Sequence, residues 1–174
     1  TLKEAYVDAL DCDRLSAYGS IVGFNRPVDK ETADTILEEA DFVECIIAPA
    51  YDAAALEALR QKKNLRLLEV KNFAARPAKA DMDLKKVTGG LLVQDRDTAR
   101  LDTSGLTVVT KAKPTKEQLA SLAFAWAVVK HVKSNAIVLC RGQKTVGIGA
   151  GQMSRVESVT IASRKAGDRA KGSA

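Results

Sequence analysis

The feature that most constrains this chain is an alternation between residues 20 and 70. Three short apolar runs, SIVGF at 20–24, FVECIIA at 42–48 and LRLLEV at 65–70, are separated by stretches of helical length. Pro27 and Asp29 punctuate the first gap and predict a helix over 30–40 with Asp29 as its N-cap. Pro49 ends the second run, and Asp52 is placed to cap a helix to about residue 62. Strands joined through a helix rather than a tight turn run parallel. The order β-α-β-α-β therefore predicts a mainly parallel sheet covered by helices.

The flanks read less uniformly. Leu2, Tyr6, Val7, Ala9 and Leu10 recur at helical spacing, so the chain opens in a helix, without Met or an evident cap, as a trimmed piece would. Residues 71–107, with Gly89-Gly90 and the charged run DRDTAR, read as an excursion or flap in which Leu91, Leu92 and Val93 suit a short strand or hairpin. TVVT at 107–110 is strand-like. Thr115 and Gln118 have the spacing of a capping box, and Leu119, Leu122, Trp126 and Val129 then share one helix face, which places Trp126 in the core. AIVLC at 136–140 is the strongest strand signal, Arg141-Gly142-Gln143 a tight turn, and 145–148 the partner strand. A helix begins near Met153, with Val156, Val159 and Ile161 partly periodic. The tail from Ala166 is small and basic, with no closing element.

Composition narrows the classes. With 174 residues, 46% of them hydrophobic, one domain can bury a core without disulfides or a structural metal. No apolar run reaches the length of a membrane span. The net charge of +5 suits an anionic ligand, a phosphate or a polycarboxylate, as well as it suits a plain solvated basic surface. Aromatics at 5% and the lack of an RNA-binding signature argue against a nucleic-acid partner. Cys12, Cys45 and Cys140 have no paired spacing; Cys45 and Cys140 read as small core residues, in a reducing cytosolic setting. His131 is the one histidine, and with no CxxC and no HxE a zinc site is not expected.

Chemistry concentrates in two segments. Gly147-Ile148-Gly149-Ala150-Gly151-Gln152-Met153-Ser154-Arg155 follows a predicted strand and opens a predicted helix. Glycines let a ligand approach backbone N–H groups, the helix start is electropositive, and Arg155 can grip an oxygen pair. An anion or heterocycle cradle and an ordinary glycine turn both fit this pattern. It is not a dinucleotide fingerprint, since Gln152 stands where GxGxxG needs Gly, nor a P-loop. Asn135, at the start of the AIVLC strand, can donate and accept at once, as a purine-like or carboxamide ligand requires, though strand-edge Asn is also a common turn residue. Glu44, a charge within a strand, needs a partner or a cleft, and could bind an amino group or a ribose hydroxyl. Lys130 and His131 point about 100° apart on a helix, so they are not expected to serve one site; His131 reads as solvated or half-buried.

The blocks SAYGSIVGFNRPVD, VECIIAPAYDAAALEAL, KKNLRLL, VKSNAIVL and GQKTVGIGAGQMSRVESV, in this order, resemble the transformylase domain of the bifunctional family that combines aminoimidazole carboxamide ribonucleotide (AICAR) transformylase with inosine monophosphate (IMP) cyclohydrolase. The resemblance covers essentially the whole chain. It implies formyl transfer from the co-substrate 10-formyltetrahydrofolate to AICAR in purine biosynthesis, with ring closure to IMP by a separate domain. It implies a three-layer αβα fold with a mixed, mainly parallel sheet, like cytidine deaminases but without zinc, and no metal requirement. It further implies a cytoplasmic homodimer with active sites shared across the interface, and neither nucleic acid nor membrane as partner. Residue by residue, Gly19, Glu44, Asn135 and Arg155 fall at positions that contact the ribonucleotide. Asn135 also orients the reacting amine, and Leu15 and Val156 line the folate pocket.

The family's catalytic Lys-His pair sits in a KHxNP-type motif; Lys130-His131 runs into Val132-Lys133 instead. The chain is therefore expected to be a single partial domain, 1–174, the middle of a transformylase domain with half a site and very weak or no turnover. The alternative is a non-catalytic nucleotide-binding module of the same fold. A nicotinamide-dependent oxidoreductase is ruled out by the missing fingerprint.

Overall fold

The computed structural model of the chain describes residues 1–71 and 81–174. Strands β1 (Ser20–Gly23), β2 (Val43–Ala48) and β3 (Arg66–Glu69) lie side by side in chain order and all parallel, with Val22 opposite Ile46 and Ile46 opposite Leu67. The crossovers carry α2 (Lys30–Glu39) and α3 (Ala53–Leu59). Asp29 caps α2 as expected, its carboxylate accepting from the Thr32 N–H at 2.8 Å. Asp52 stands at the start of α3 without a side-chain cap bond. Its backbone N–H instead donates to the Val28 carbonyl at 3.0 Å, beside a parallel bridge between Val28 and Tyr51, so the backbone alone fixes the helix start.

The core lies where the sheet meets its helices. Val28, Ala33, Ile46, Ala48, Ala55 and Leu59 are fully buried there. α1 (Leu2–Leu10) joins this core through Tyr6, whose ring centroid is 6.3 Å from that of Phe24. The expectation of an uncapped first helix is corrected. Thr1 and Glu4 form a reciprocal capping box, a T-x-x-E signature that the helical periodicity of the apolar residues overshadows.

The remaining strands form antiparallel pairs in sheets of their own. β4 (Met82–Val87) and β5 (Gly90–Asp95) make a hairpin, exposed at every position. It realises the strand signal at Leu91, Leu92 and Val93; residues 72–80 of the predicted excursion lie outside the described residues. The TVVT segment is not a strand. β-Branched residues favour a pleated surface, but no strand pairs with this stretch among the described residues.

α4 (Lys116–Val129) starts with the predicted Thr115–Gln118 capping box. β6 (Ile137–Arg141) and β7 (Lys144–Gly149) follow as a hairpin, with Val138 opposite Ile148, and α5 (Arg155–Ala166) packs on it. One predicted face is wrong. Trp126 is 61% exposed rather than core; the one buried residue of α4 is Ser121. Val156 and Val159 of α5 also face outward, and the packed stripe is Ser158, Ala162 and Ala166. Small residues on this stripe let the helix lie close to the strand, so the larger side chains are left outside.

The tail pairs back onto β6. Ala174 exchanges two backbone hydrogen bonds of 2.8 Å with Cys140 of β6. All three cysteines are buried and free, and burial, with Cys12 nearby, pushes the Cys140 thiol up to about 11. The two halves are joined at α1 and the loop after it. Lys144 pairs with Asp8 at 3.0 Å, Arg169 donates to the Asp11 carbonyl at 2.5 Å, and Lys165 pairs with Asp13. No helix among the described residues is long and apolar enough to cross a membrane.

Candidate functional site

The β6–β7 hairpin brings residues 133–135 and 150–155 together, because the strand start and the strand end lie at the same end of an antiparallel pair. The contact is dense in backbone bonds. The Gly151 N–H donates to the Lys133 carbonyl at 2.7 Å, and Asn135 and Gln152 bond each other in both directions, at 3.2 and 3.4 Å. The Asn135 side-chain amide then donates to the carbonyls of Gln152 at 2.9 Å and Met153 at 3.2 Å. Below it, the buried Ser158 hydroxyl donates to the Asn135 carbonyl at 2.7 Å.

These bonds refine the reading of Asn135. Its two amide hydrogens are spent on the loop, so its Nδ2 is a clamp. Its Oδ1 has no partner among the described residues and keeps its acceptor capacity. The loop that it clamps ends at Ser154, whose hydroxyl accepts from the Glu157 N–H at 3.1 Å and caps α5. Arg155, the first residue of α5, is exposed and makes no hydrogen bond or ion pair among the described residues.

The glycines of the loop do not all do what the motif suggests. A Cβ built on Gly149 would stand 2.0 Å from the Ser158 carbonyl oxygen, and one on Gly147 would stand 2.3 Å from that of Ala162. Both are glycine so that α5 can pack against β7, and neither is available to cradle a ligand. Gly151, with φ +66 and open space around its Cβ position, makes the turn itself. The electropositive helix start and the exposed Arg155 are the parts of the motif left open to solvent.

Gly19 and Glu44 sit elsewhere, on the parallel sheet. Gly19, φ +73, leads into β1 and donates to the Phe42 carbonyl at 3.0 Å. The Glu44 carboxylate is paired with Arg66 across β2 and β3. That partner was not foreseen, although an arginine at the start of the third apolar run was the available signal. No hydrogen bond links Gly19 or Glu44 to Asn135 or Arg155 among the described residues. Leu15 is 91% exposed and Val156 is 76% exposed, near opposite ends of α5. Ser16, next to Leu15, reaches Lys165, and Lys165 stands about 14 Å along the helix from Val156. The described hydrogen bonds tie Asn135 to the loop that carries Arg155, whereas Gly19 and Glu44 belong to a different sheet. Cavities of about 710 and 750 Å³ flank the two halves of α4, and neither is lined by any of these residues.

The chain as a whole matches known proteins. The family model described as AICARFT/IMPCHase bienzyme matches residues 1–165. The chain belongs to this family. It is 52% identical over 98% of its length to the bifunctional purine biosynthesis protein PurH of Roseobacter denitrificans, of which the match covers 32%. It is 53% identical to the PurH proteins of Magnetococcus marinus and Sorangium cellulosum, over 97% and 99% of this chain and 31% and 33% of theirs. The chain spans about a third of the length of the curated relatives it matches. Ser158, which anchors Asn135, was not singled out from the sequence.

Proposed function

We propose that the chain is the ribonucleotide-holding part of a formyltransferase of purine biosynthesis, acting on AICAR with 10-formyltetrahydrofolate. The observation that carries this reading is the free Asn135 Oδ1 beside the Arg155 loop. An arylamine next to a carboxamide is a poor nucleophile and gains most from orientation. Oδ1 accepts one N–H of that amine and aims its lone pair at the formyl carbon. The amine nitrogen then bonds that carbon, the bond from the carbon to the folate nitrogen breaks, and the amine proton leaves with tetrahydrofolate. Arg155 holds an anionic or carbonyl oxygen of the ribonucleotide through paired N–H donors.

The same reading assigns Gly19 and Glu44 to ribonucleotide contact, and Leu15 and Val156 to the folate pocket. Their separation from Asn135 and Arg155 within one chain fits a site completed by a second copy, as in a homodimer with shared sites. The α/β arrangement fits a zinc-free relative of the cytidine deaminase fold, and the exposed β4–β5 hairpin fits an excursion from it. A cytoplasmic setting and independence from metal, nucleic acid and membrane belong to this reading as well. Lys130-His131 lacks the Asn-Pro of the family's catalytic motif, so the chain alone is a binder with very weak or no turnover.

Calorimetric titration with AICAR tests this. Saturable binding, weakened at least tenfold by Arg155→Ala, is expected, and tetrahydrofolate release in the formyl-transfer assay stays near background. Absence of AICAR binding, or binding indifferent to Arg155, overturns the proposal.

A further inference from the structure

The cavity of about 750 Å³ beside the C-terminal half of α4 is not part of the site above. Its volume lies in the range of small-molecule sites. One wall is a single helix stripe in which Ala123, Trp126, Ala127 and Lys130 recur at three- and four-residue spacing; the other is the irregular segment 97–101. The two alanines leave room between the larger side chains. Lys130 holds the walls together. Its ammonium donates to the carbonyls of Asp97 at 2.6 Å and Ala99 at 3.3 Å, and it pairs with the Asp97 carboxylate at 3.2 Å. That pairing holds the Asp97 carboxyl below its usual range.

With Lys130 and Asp97 neutralising each other, the charge left on the rim is Arg100. It is exposed and has no acidic partner among the described residues. Trp126 presents an indole with 61% of its surface open, and the imidazole of His131 completes the rim. An open indole stacks on a planar ring, and a free guanidinium binds a phosphate in paired fashion. Lys130 and His131 both border this cavity, Lys130 through its long side chain as a strut.

We propose that this cavity is a second ligand site, for a planar heterocycle carrying a single phosphate, with Trp126 as stacking platform and Arg100 as anion grip. It goes beyond the formyl-transfer reading and does not depend on it.

Trp126 is the only tryptophan, so its emission reports the cavity directly. The probe is adenosine 5′-monophosphate, titrated into the 174-residue chain, with adenosine and ribose 5-phosphate as single-feature controls. Saturable quenching by the nucleotide, at least tenfold weaker with either control and with Arg100→Ala, is expected. Arg155→Ala should leave the quenching curve unchanged while weakening AICAR binding, which separates this site from the other. No saturable quenching, a curve indifferent to Arg100→Ala, or a curve lost in Arg155→Ala overturns the proposal.

Discussion

The parallel half of the molecule and the hairpin half are stabilised in different ways. Around β1–β3, large apolar side chains fill the space between sheet and helices: Val28, Ile46 and Leu59 are wholly buried. Around β6–β7 the fully buried set is Val146, Cys140, Ser158 and Ala162, and the contact is a close approach of backbone to backbone at Gly147 and Gly149. The first arrangement gives a stable platform. The second places a loop with free polar groups at the end of a rigid hairpin and leaves Trp126, Val156 and Met153 exposed. In this chain the thick core and the Asn135–Arg155 loop lie in different halves.

Four perturbations would break or sharpen this contrast. The largest effect is expected for Ile46→Ala. A cavity in the thick core should cost about 2–5 kcal/mol in urea unfolding; AICAR affinity of the molecules still folded should be unaltered, and a parallel loss of affinity would show that the halves are not separable. Gly149→Ala comes next. Its methyl would collide with the Ser158 carbonyl, costing about 1–3 kcal/mol by overpacking. Because α5 must shift, Arg155 shifts too, so AICAR binding should fall along with stability.

The third test addresses the joint. Burial raises the Asp13 carboxyl, but hydrogen bonds from Lys165 and Ser16 outweigh this and leave it below its ordinary value. The pair then contributes fully above the unfolded aspartate pKa of about 3.9. Its contribution fades as pH falls through the lower folded value. The gap in urea midpoint between the native chain and Asp13→Asn should be constant near neutrality and close below pH 4; a gap that widens in acid would refute the pairing. The smallest effect is expected for Thr32→Val. The Thr32 hydroxyl is buried without a partner among the described residues. An isosteric apolar group there should leave stability within about 0.5 kcal/mol or raise it; a clear loss would reveal a hidden partner.

Much of the parallel half was legible in the sequence because each local signal agreed with the global one. The apolar runs predicted β1, β2 and β3 to within a residue or two, and Asp29 is the cap it was read to be. Asn135 and the Arg155 loop were legible as neighbours because a strand, a tight turn and a strand return the chain to its start. Trp126 misled because a heptad-like stripe shows that a helix has an apolar face, not that something covers it. The TVVT run misled because strand propensity is realised only where a partner edge exists.

The sequence by itself determined most of the elements, the parallel order and the family, since these depend on local periodicity and on motifs read along the chain. Tertiary structure alone decided that Gly147 and Gly149 serve helix packing. It also decided that the Asn135 donors are consumed by its own loop, that Arg66 holds Glu44, and that Lys130 ties segment 97–101 to α4. Each of these depends on which atoms lie within about 3 Å across long sequence separations, and a one-dimensional pattern carries no such distance.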